Sequence, residues 1–194
     1  MLRVLLVCTG NICRSPMAEG FLVDRSRRLL GDTLRVRSSG TWARLGLAPT
    51  PEAVAAAAAR GIDIADLRST PFSPAQAGWA DVVVSMTAEQ RQEVLEHAPD
   101  AAPKTFTLKE LVALVGLLPP PRGTPSRESM LERVAAAHRL RGEGARPVRD
   151  EDVADPLGMA PQVYRATAWE IEELVDALIR GLAGQRQPVA AGED

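Results

Sequence analysis

Cys8-Thr9-Gly10-Asn11-Ile12-Cys13-Arg14-Ser15-Pro16 follows directly on the apolar run Leu2–Val7, and the two together decide the fold. Arg3-Val-Leu-Leu-Val7 is short, apolar and partly β-branched, the pattern of a strand buried on both faces of a parallel sheet. Ser15-Pro16 reads as a helix start, a capping hydroxyl followed by a residue whose φ is preset for the first helical position. Ala18, Phe21, Leu22 and Leu29 then recur at helical spacing, with Glu19, Asp24, Arg25, Arg27 and Arg28 largely on other faces. The loop 8–14 therefore joins a buried strand end to a helix N-terminus, where backbone N–H groups and the helix dipole attract anions. Gly10 and Asn11 are the residue types that most readily take the left-handed angles an anion-binding nest needs.

Outward from this stretch, short strands alternate with longer helices. Leu34–Ser38 reads as a strand, and Thr50-Pro-Glu-Ala-Val opens an alanine-rich helix ending near Gly61. Asp81–Met86 is a further strand, and Thr87 caps a helix that runs to about Glu96. Lys104–Leu108 is a fourth strand, edge-like in its polarity. Val163, Thr167, Ile171, Leu174, Val175, Leu178 and Leu182 mark a long amphipathic helix at the end. The alternation predicts an α/β fold of three layers, a central four-stranded parallel sheet flanked by helices on both faces. Its site should lie at the carboxyl ends of the strands. One domain is expected over residues 1–183, followed by a flexible polar tail over 184–194.

The loop chemistry points to a tetrahedral dianion. A cysteine at a helix N-terminus beside a cation is displaced toward its thiolate, so Cys8 is the expected nucleophile. Arg14 can offer a bidentate fork to two equatorial oxygens, which a lysine cannot. Thr9, Gly10, Asn11, Ile12 and Cys13 supply the backbone between them, and Ser15 is placed to hydrogen-bond the sulfur as it leaves. Displacing an alkoxide or phenoxide also requires a proton for the leaving oxygen, a contribution of about 10²–10⁴-fold in rate. Asp155, stiffened by Pro156, is the candidate donor, with Asp150 and Asp152 as nearby competitors.

The string Cys8–Pro16 closely resembles the V-C-x-G-N-x-C-R-S-P signature of the low-molecular-weight protein tyrosine phosphatase family. Val36-Arg-Ser-Ser-Gly-Thr41 resembles that family's second strand and following turn, Trp79–Met86 its third strand, and Asp155-Pro156 its general-acid loop. The resemblance implies Cys8 as nucleophile, Arg14 as the phosphate-binding arginine, Ser15 as stabiliser of the thiolate and Asp155 as general acid and base. It implies a phosphorylated protein substrate, phosphotyrosine first, with no cofactor. It also favours a redox role for Cys13, whose reversible bond to Cys8 would protect the thiolate.

Three features depart from the family pattern. Leu157-Gly158 stands where tyrosine-specific relatives carry aromatic residues, leaving Leu157 and Trp42 as candidate walls for a substrate ring. The histidine that buttresses the loop asparagine is replaced in the stretch Gly61–Leu67, so support for Asn11 falls to Ser38 or Ser39. Residues 116–149 form an apparent insertion, an extended linker over Gly116–Ser126 and then a helix over Glu128–Arg141. From Pro119 to Asp150 there are seven arginines against four acids, an excess of +3 that could flank the cleft or be a solvated surface.

Composition narrows the field. The formal net charge of −2 excludes a strong general attraction to nucleic acid or anionic lipid. No run of about twenty apolar residues offers a membrane span. Both cysteines of the chain lie in the reactive loop, which argues for a reducing cytoplasm and against a disulfide framework. His97 and His138 are the only histidines and sit in no motif, so no metal site is expected. Arsenate reduction of the thioredoxin-coupled type requires further cysteines. A phosphate-binding module without catalysis would not need Cys8, Arg14 and Asp155 together. Phosphorylated serine, arginine or small metabolites are the alternative substrates.

Overall fold

The structure is a computed structural model that describes residues 1–120, 124–146 and 148–184. Four parallel strands, β1 (Leu2–Cys8), β2 (Leu34–Gly40), β3 (Val82–Ser85) and β4 (Thr105–Thr107), form one sheet in the order β2-β1-β3-β4. Among the described residues, seven helices cover it: α1 (Arg14–Leu30), α2 (Pro51–Ala58), α3 (Pro74–Trp79), α4 (Ala88–His97), α5 (Leu108–Gly116), α6 (Arg127–Gly142) and α7 (Pro161–Ala183). A 3-10 turn, Pro99–Lys104, precedes β4.

The pleat of β1 explains the three layers. Leu2, Val4, Leu6 and Cys8 face a large core with Met17 and Phe21 of α1, Leu111 of α5, Met130 of α6 and Ile171 of α7. Leu5 and Val7 point the other way, onto Ala77 of α3 and Val94 of α4. With both faces covered, β1 has no room for the polar alternation of a half-exposed strand. Because β1 is central, its register places Cys8 beside Gly40 of β2 and Val7 beside Ser85 of β3. The loop after Cys8 is thus set at the carboxyl ends of three strands.

Several local expectations shift. α1 begins at Arg14 with Cys13 at the cap position, so Ser15 is not the N-cap. Its hydroxyl is engaged by the loop instead, as described below. Ser73-Pro74 opens α3, through a capping box with Gln76, where the sequence had suggested nothing before the third strand. Trp79 therefore ends a helix, and β3 is shorter than Asp81–Met86. β4 is an edge strand, as its polarity suggested, yet all three of its residues are buried. Thr105 Oγ1 donates to Ala101 O at 2.8 Å, and Thr107 Oγ1 accepts from Glu110 N at 3.2 Å to cap α5.

The segment 116–149 contains α6, whose Met130, Val134 and Ala137 enter the main core. Three of its arginines, of which Arg133 is buried, serve the fold. Arg133 donates to the carbonyls of Val115, Pro119 and Gly181, and Arg127 pairs with Asp81 at the amino-terminal end of β3. Arg141 bonds the Thr105 and Ala102 carbonyls and lies over the Phe106 ring, covering the β4 edge. These three therefore do not flank the loop after Cys8. α7 ends at Gly184 in a left-handed C-cap. The flexible tail expected over 184–194 lies, beyond Gly184, outside the described residues.

Candidate active site

Residues 9–13 curl around the sulfur of Cys8. The Asn11 N–H donates to Cys8 Sγ at 3.3 Å, and Ser15 Oγ lies 3.0 Å from the same sulfur. Asn11 adopts φ 53°, and it is the one non-glycine residue with positive φ among the described residues. That backbone turn aims its N–H inward. Gly10 does not share the left-handed conformation; a side chain there would begin 3.3 Å from Ile12 Cγ1, so its use is closeness rather than φ.

Asn11 is held from three sides. Its Nδ2 donates to Ser15 Oγ and to Ser38 Oγ, each at 2.8 Å, and its Oδ1 accepts from the Thr70 N–H at 2.8 Å. Ser38 Oγ in turn donates to Glu19 Oε2 at 2.5 Å. Ser39 takes part through its carbonyl, which accepts from Ser15 Oγ at 3.4 Å. The backbone of Thr70 thus occupies the place for which no histidine is available. Burial pushes the Glu19 carboxyl above its ordinary range, against the lowering effect of the Ser38 hydrogen bonds and of Arg37.

Arg14 is buried at the helix start and reaches the segment that carries Asp155. Its Nη1 donates to Val153 O at 3.1 Å and its Nη2 to Asp155 Oδ2 at 2.6 Å. Its Nε, also buried, has no hydrogen-bond partner among the described residues. A buried guanidinium N–H without an acceptor is costly, and an equatorial oxygen of a bound dianion would satisfy it. Asp155 is 43% exposed and accepts from the Leu157 N–H at 3.1 Å, so its carboxylate is fixed at the rim. The two competing aspartates lie elsewhere. Asp152 Oδ1 caps the start of α4 by accepting from Ala88 N, and Asp150 is on the exposed side of the same segment.

The other named residues frame this arrangement. Thr9 Oγ1 accepts from Gln90 Nε2 at 3.0 Å, and Gln90 Oε1 accepts from the Met86 and Thr87 N–H groups. Gln90 was missed by sequence, although the Thr87-x-x-Gln90 capping box marks it. The Trp42 N–H donates to Thr9 O, and its ring, 77% exposed, is tied to Glu93 Oε1 through Nε1 at 2.8 Å. Leu157 is exposed beside Asp155, while Ile12 is partly buried and packs on the main core. Cys13 and Cys8 are both free thiols. Cys13 Sγ lies 3.6 Å from Thr50 Oγ1 and 4.0 Å from Tyr164 Oη, and burial pushes its thiol up. Among the described residues, no group of three or more His, Cys, Asp or Glu side chains could hold a metal ion. No described helix is long and apolar enough to cross a membrane.

The model of the low-molecular-weight phosphotyrosine protein phosphatase family matches residues 3–136, which include the whole loop. The chain belongs to this family. Membership makes it a cysteine-dependent phosphatase. It is 33% identical over 180 residues to a protein-arginine-phosphatase of Geobacillus stearothermophilus, covering 93% of this chain and 95% of that protein. It is 36% identical over 108 residues to a probable low-molecular-weight protein-tyrosine-phosphatase, EpsP, of Ralstonia nicotianae, covering 56% of this chain and 71% of that one. The crystal structure of the low-molecular-weight protein tyrosine phosphatase from T. tengcongensis superposes with a TM-score of 0.70 at 33% identity, over 93% of this chain and 99% of that chain. The match of the family model covers the four strands from Arg3 onward and the loop after Cys8, and Asp155 lies beyond the residues that this model matches.

Proposed function

We propose that the chain is a protein-tyrosine phosphatase working through a thiophosphate on Cys8. The observation that carries this is the convergence of the Cys8 sulfur, the inward Asn11 N–H and the buried Arg14 fork on one loop, with Asp155 within 2.6 Å of that fork. Cys8 attacks phosphorus; the S–P bond forms as the P–O ester bond breaks, and Asp155 passes its proton to the leaving oxygen. Asp155 then takes a proton from water, whose oxygen attacks phosphorus, breaking the S–P bond and releasing phosphate. The Ser15 hydroxyl, 3.0 Å from the sulfur, stabilises the thiolate as it departs.

Apolar groups at the rim support an aryl substrate. Trp42, bonded through its N–H to Thr9 O, and Leu157, bonded through its N–H to Asp155, are both exposed, and Ile12 gives the loop an apolar member. A phenyl ring gains from such surfaces, apolar and aromatic alike, whereas a phosphorylated guanidinium gains from stacking on Trp42 but not from Leu157 or Ile12. The full-length likeness to a protein-arginine-phosphatase favours a second reading, phosphoarginine.

Turnover of a chromogenic aryl phosphate by the wild type but not by Cys8→Ser separates an enzyme from a phosphate-binding module. Relative kcat/KM on phosphotyrosine, phosphoarginine and phosphoserine peptides then decides the substrate. Phosphotyrosine is expected to lead by at least about tenfold, roughly the 1.4 kcal/mol that one buried apolar contact supplies. A lead for phosphoarginine would replace the first reading with the second.

A further inference from the structure

The segment that carries Asp155, residues 148–160, contains neither helix nor strand, so its position depends on tethers. Residues 152 and 153 are held by the bonds from Val153 N to Met86 O at 2.8 Å, from Ala88 N to Asp152 Oδ1 at 2.8 Å, from Lys109 Nζ to Asp152 O at 2.6 Å and from Arg14 Nη1 to Val153 O at 3.1 Å. Residue 151, ahead of them, is held by an ion-pair chain that crosses three helices. Glu110 of α5 is buried, and its Oε2 accepts from Arg91 Nη1 at 2.8 Å and from Arg141 Nη1 at 3.3 Å. The same Arg91 nitrogen reaches Glu151 Oε2 at 2.9 Å. Arg141 belongs to α6 and is itself fixed by the Thr105 and Ala102 carbonyls.

Exposed ion pairs usually contribute little, because two long side chains must be ordered in water. This pair differs at its inner end. Arg91 cannot leave Glu110 without removing one of the two described cations on a buried carboxylate, so it stands as a fixed post from which Glu151 hangs. The post matters when a phosphate dianion takes hydrogen bonds from Arg14. Arg14 then has less to give Asp155, and the carboxylate depends on the Leu157 N–H behind it and on the tethers of residues 151–153 ahead of it.

We propose that the Arg91–Glu151 bridge, backed by buried Glu110, is a positioning device for Asp155. It aims that carboxyl at the leaving oxygen and links α6 to the chemistry through Arg141. The proposal rests on the reading of Asp155 as proton donor. None of the four residues touches the reacting atoms.

Glu151→Ala removes the loop end of the bridge and leaves Glu110 paired. The measurement is kcat/KM on two aryl phosphates, phenyl phosphate with a poor leaving group and a fluorinated umbelliferyl phosphate with a good one, with Asp155→Ala measured alongside. Good leaving groups depart without a proton, so only a misplaced acid separates the two esters. Glu151→Ala is expected to lose about tenfold on phenyl phosphate and less than about twofold on the fluorinated ester, a part of the general-acid contribution. Arg91→Lys, which keeps a cation between the two carboxylates, is expected to retain most of the wild-type ratio. Equal losses on both esters, or none, for Glu151→Ala beside a steep Asp155→Ala would overturn the bridge and leave Asp155 in its role. A flat response from Asp155→Ala would overturn both.

Discussion

Arg14 Nη2 and Asp155 Oδ2 lie 2.6 Å apart, joining a buried guanidinium at a helix start to a carboxylate 141 residues away. The contact sets the groups proposed for phosphate binding and for proton transfer in competition. A dianion entering the loop must share Arg14 with Asp155 and also meets the negative charge of that carboxylate. Asp155→Ala therefore relieves a repulsion and frees a donor. Inorganic phosphate should bind this variant about three- to tenfold more tightly, roughly 1 kcal/mol, the usual scale of a partly exposed charge interaction. Turnover of phenyl phosphate should fall by about 10²–10³-fold. Calorimetric titration with phosphate checks the first expectation, and unchanged or weaker binding would refute it.

Asn11 is the keystone of the loop because one side chain satisfies Ser15, Ser38 and the Thr70 N–H. Asn11→Ala deletes all three bonds and leaves an alanine in the left-handed region, which costs about 1 kcal/mol more than the right-handed one. With about 1 kcal/mol for each lost neutral hydrogen bond, partly recovered by relaxation, a loss of about 2–3 kcal/mol in folding stability is expected. Asn11→Gly tolerates the φ and isolates the side-chain part. Urea melts of the two variants should place the glycine variant between wild type and alanine; an alanine variant more stable than the glycine one would show that the left-handed backbone at this position carries no cost.

The legible parts of this molecule are those written locally. The Leu2–Val7 run, the Gly-Asn loop and the 3.6-residue spacing of α7 each imply their structure within a few residues, and the sheet followed from their alternation. Ser15 misled because Ser-Pro is a helix-start pattern. Its bond to the Cys8 sulfur was readable from the loop, but not that the Asn11 amide claims the same hydroxyl and leaves Cys13 at the cap position. The short α3 was hidden by the same locality, since six residues carry too little periodicity to show. Partners such as Thr70 for Asn11 and Gln90 for Thr9 are 59 and 81 residues away, and only the parallel register of β1 with β2 and β3 brings them in. The Arg91–Glu110–Arg141 chain was unreadable for that reason; in sequence its arginines look like ordinary helix-surface charge.

Glu19 predicts a pH signature. Burial lifts its carboxyl above the ordinary glutamate value, with Ser38 and Arg37 only partly opposing it. A carboxyl whose folded value is raised contributes stability below its unfolded value of about 4.3 and loses it as pH rises through the folded value. Glu19→Gln keeps an oxygen for the Ser38 hydroxyl and carries no charge. The melting temperature of the variant relative to wild type should therefore increase between pH 4.5 and pH 8. A difference that is flat or falls over that interval would contradict the assignment.

Gly40 and Gly31 offer a contrast between crowding and conformation. Gly40 pairs with Cys8 across the β1–β2 ladder, and its N–H and carbonyl are both engaged, by Thr70 O and by the Phe72 N–H. A Cβ there would sit 2.9 Å from the Asn11 backbone nitrogen, and closer still to Thr9 O. Neither is the end of a flexible side chain, so the loop itself must move. Gly31, after α1, has φ 65° and open space around the added carbon. Gly31→Ala should cost about 1 kcal/mol of stability through its backbone alone and leave kcat on an aryl phosphate unchanged. Gly40→Ala should lower kcat by about 10–10²-fold, because a displacement near 1 Å of the groups around the Cys8 sulfur is enough for a loss of that size. Steady-state kinetics beside thermal melts of both variants separate the two effects, and a Gly40→Ala enzyme with wild-type kcat would mean that the loop tolerates displacement at Thr9 and Asn11.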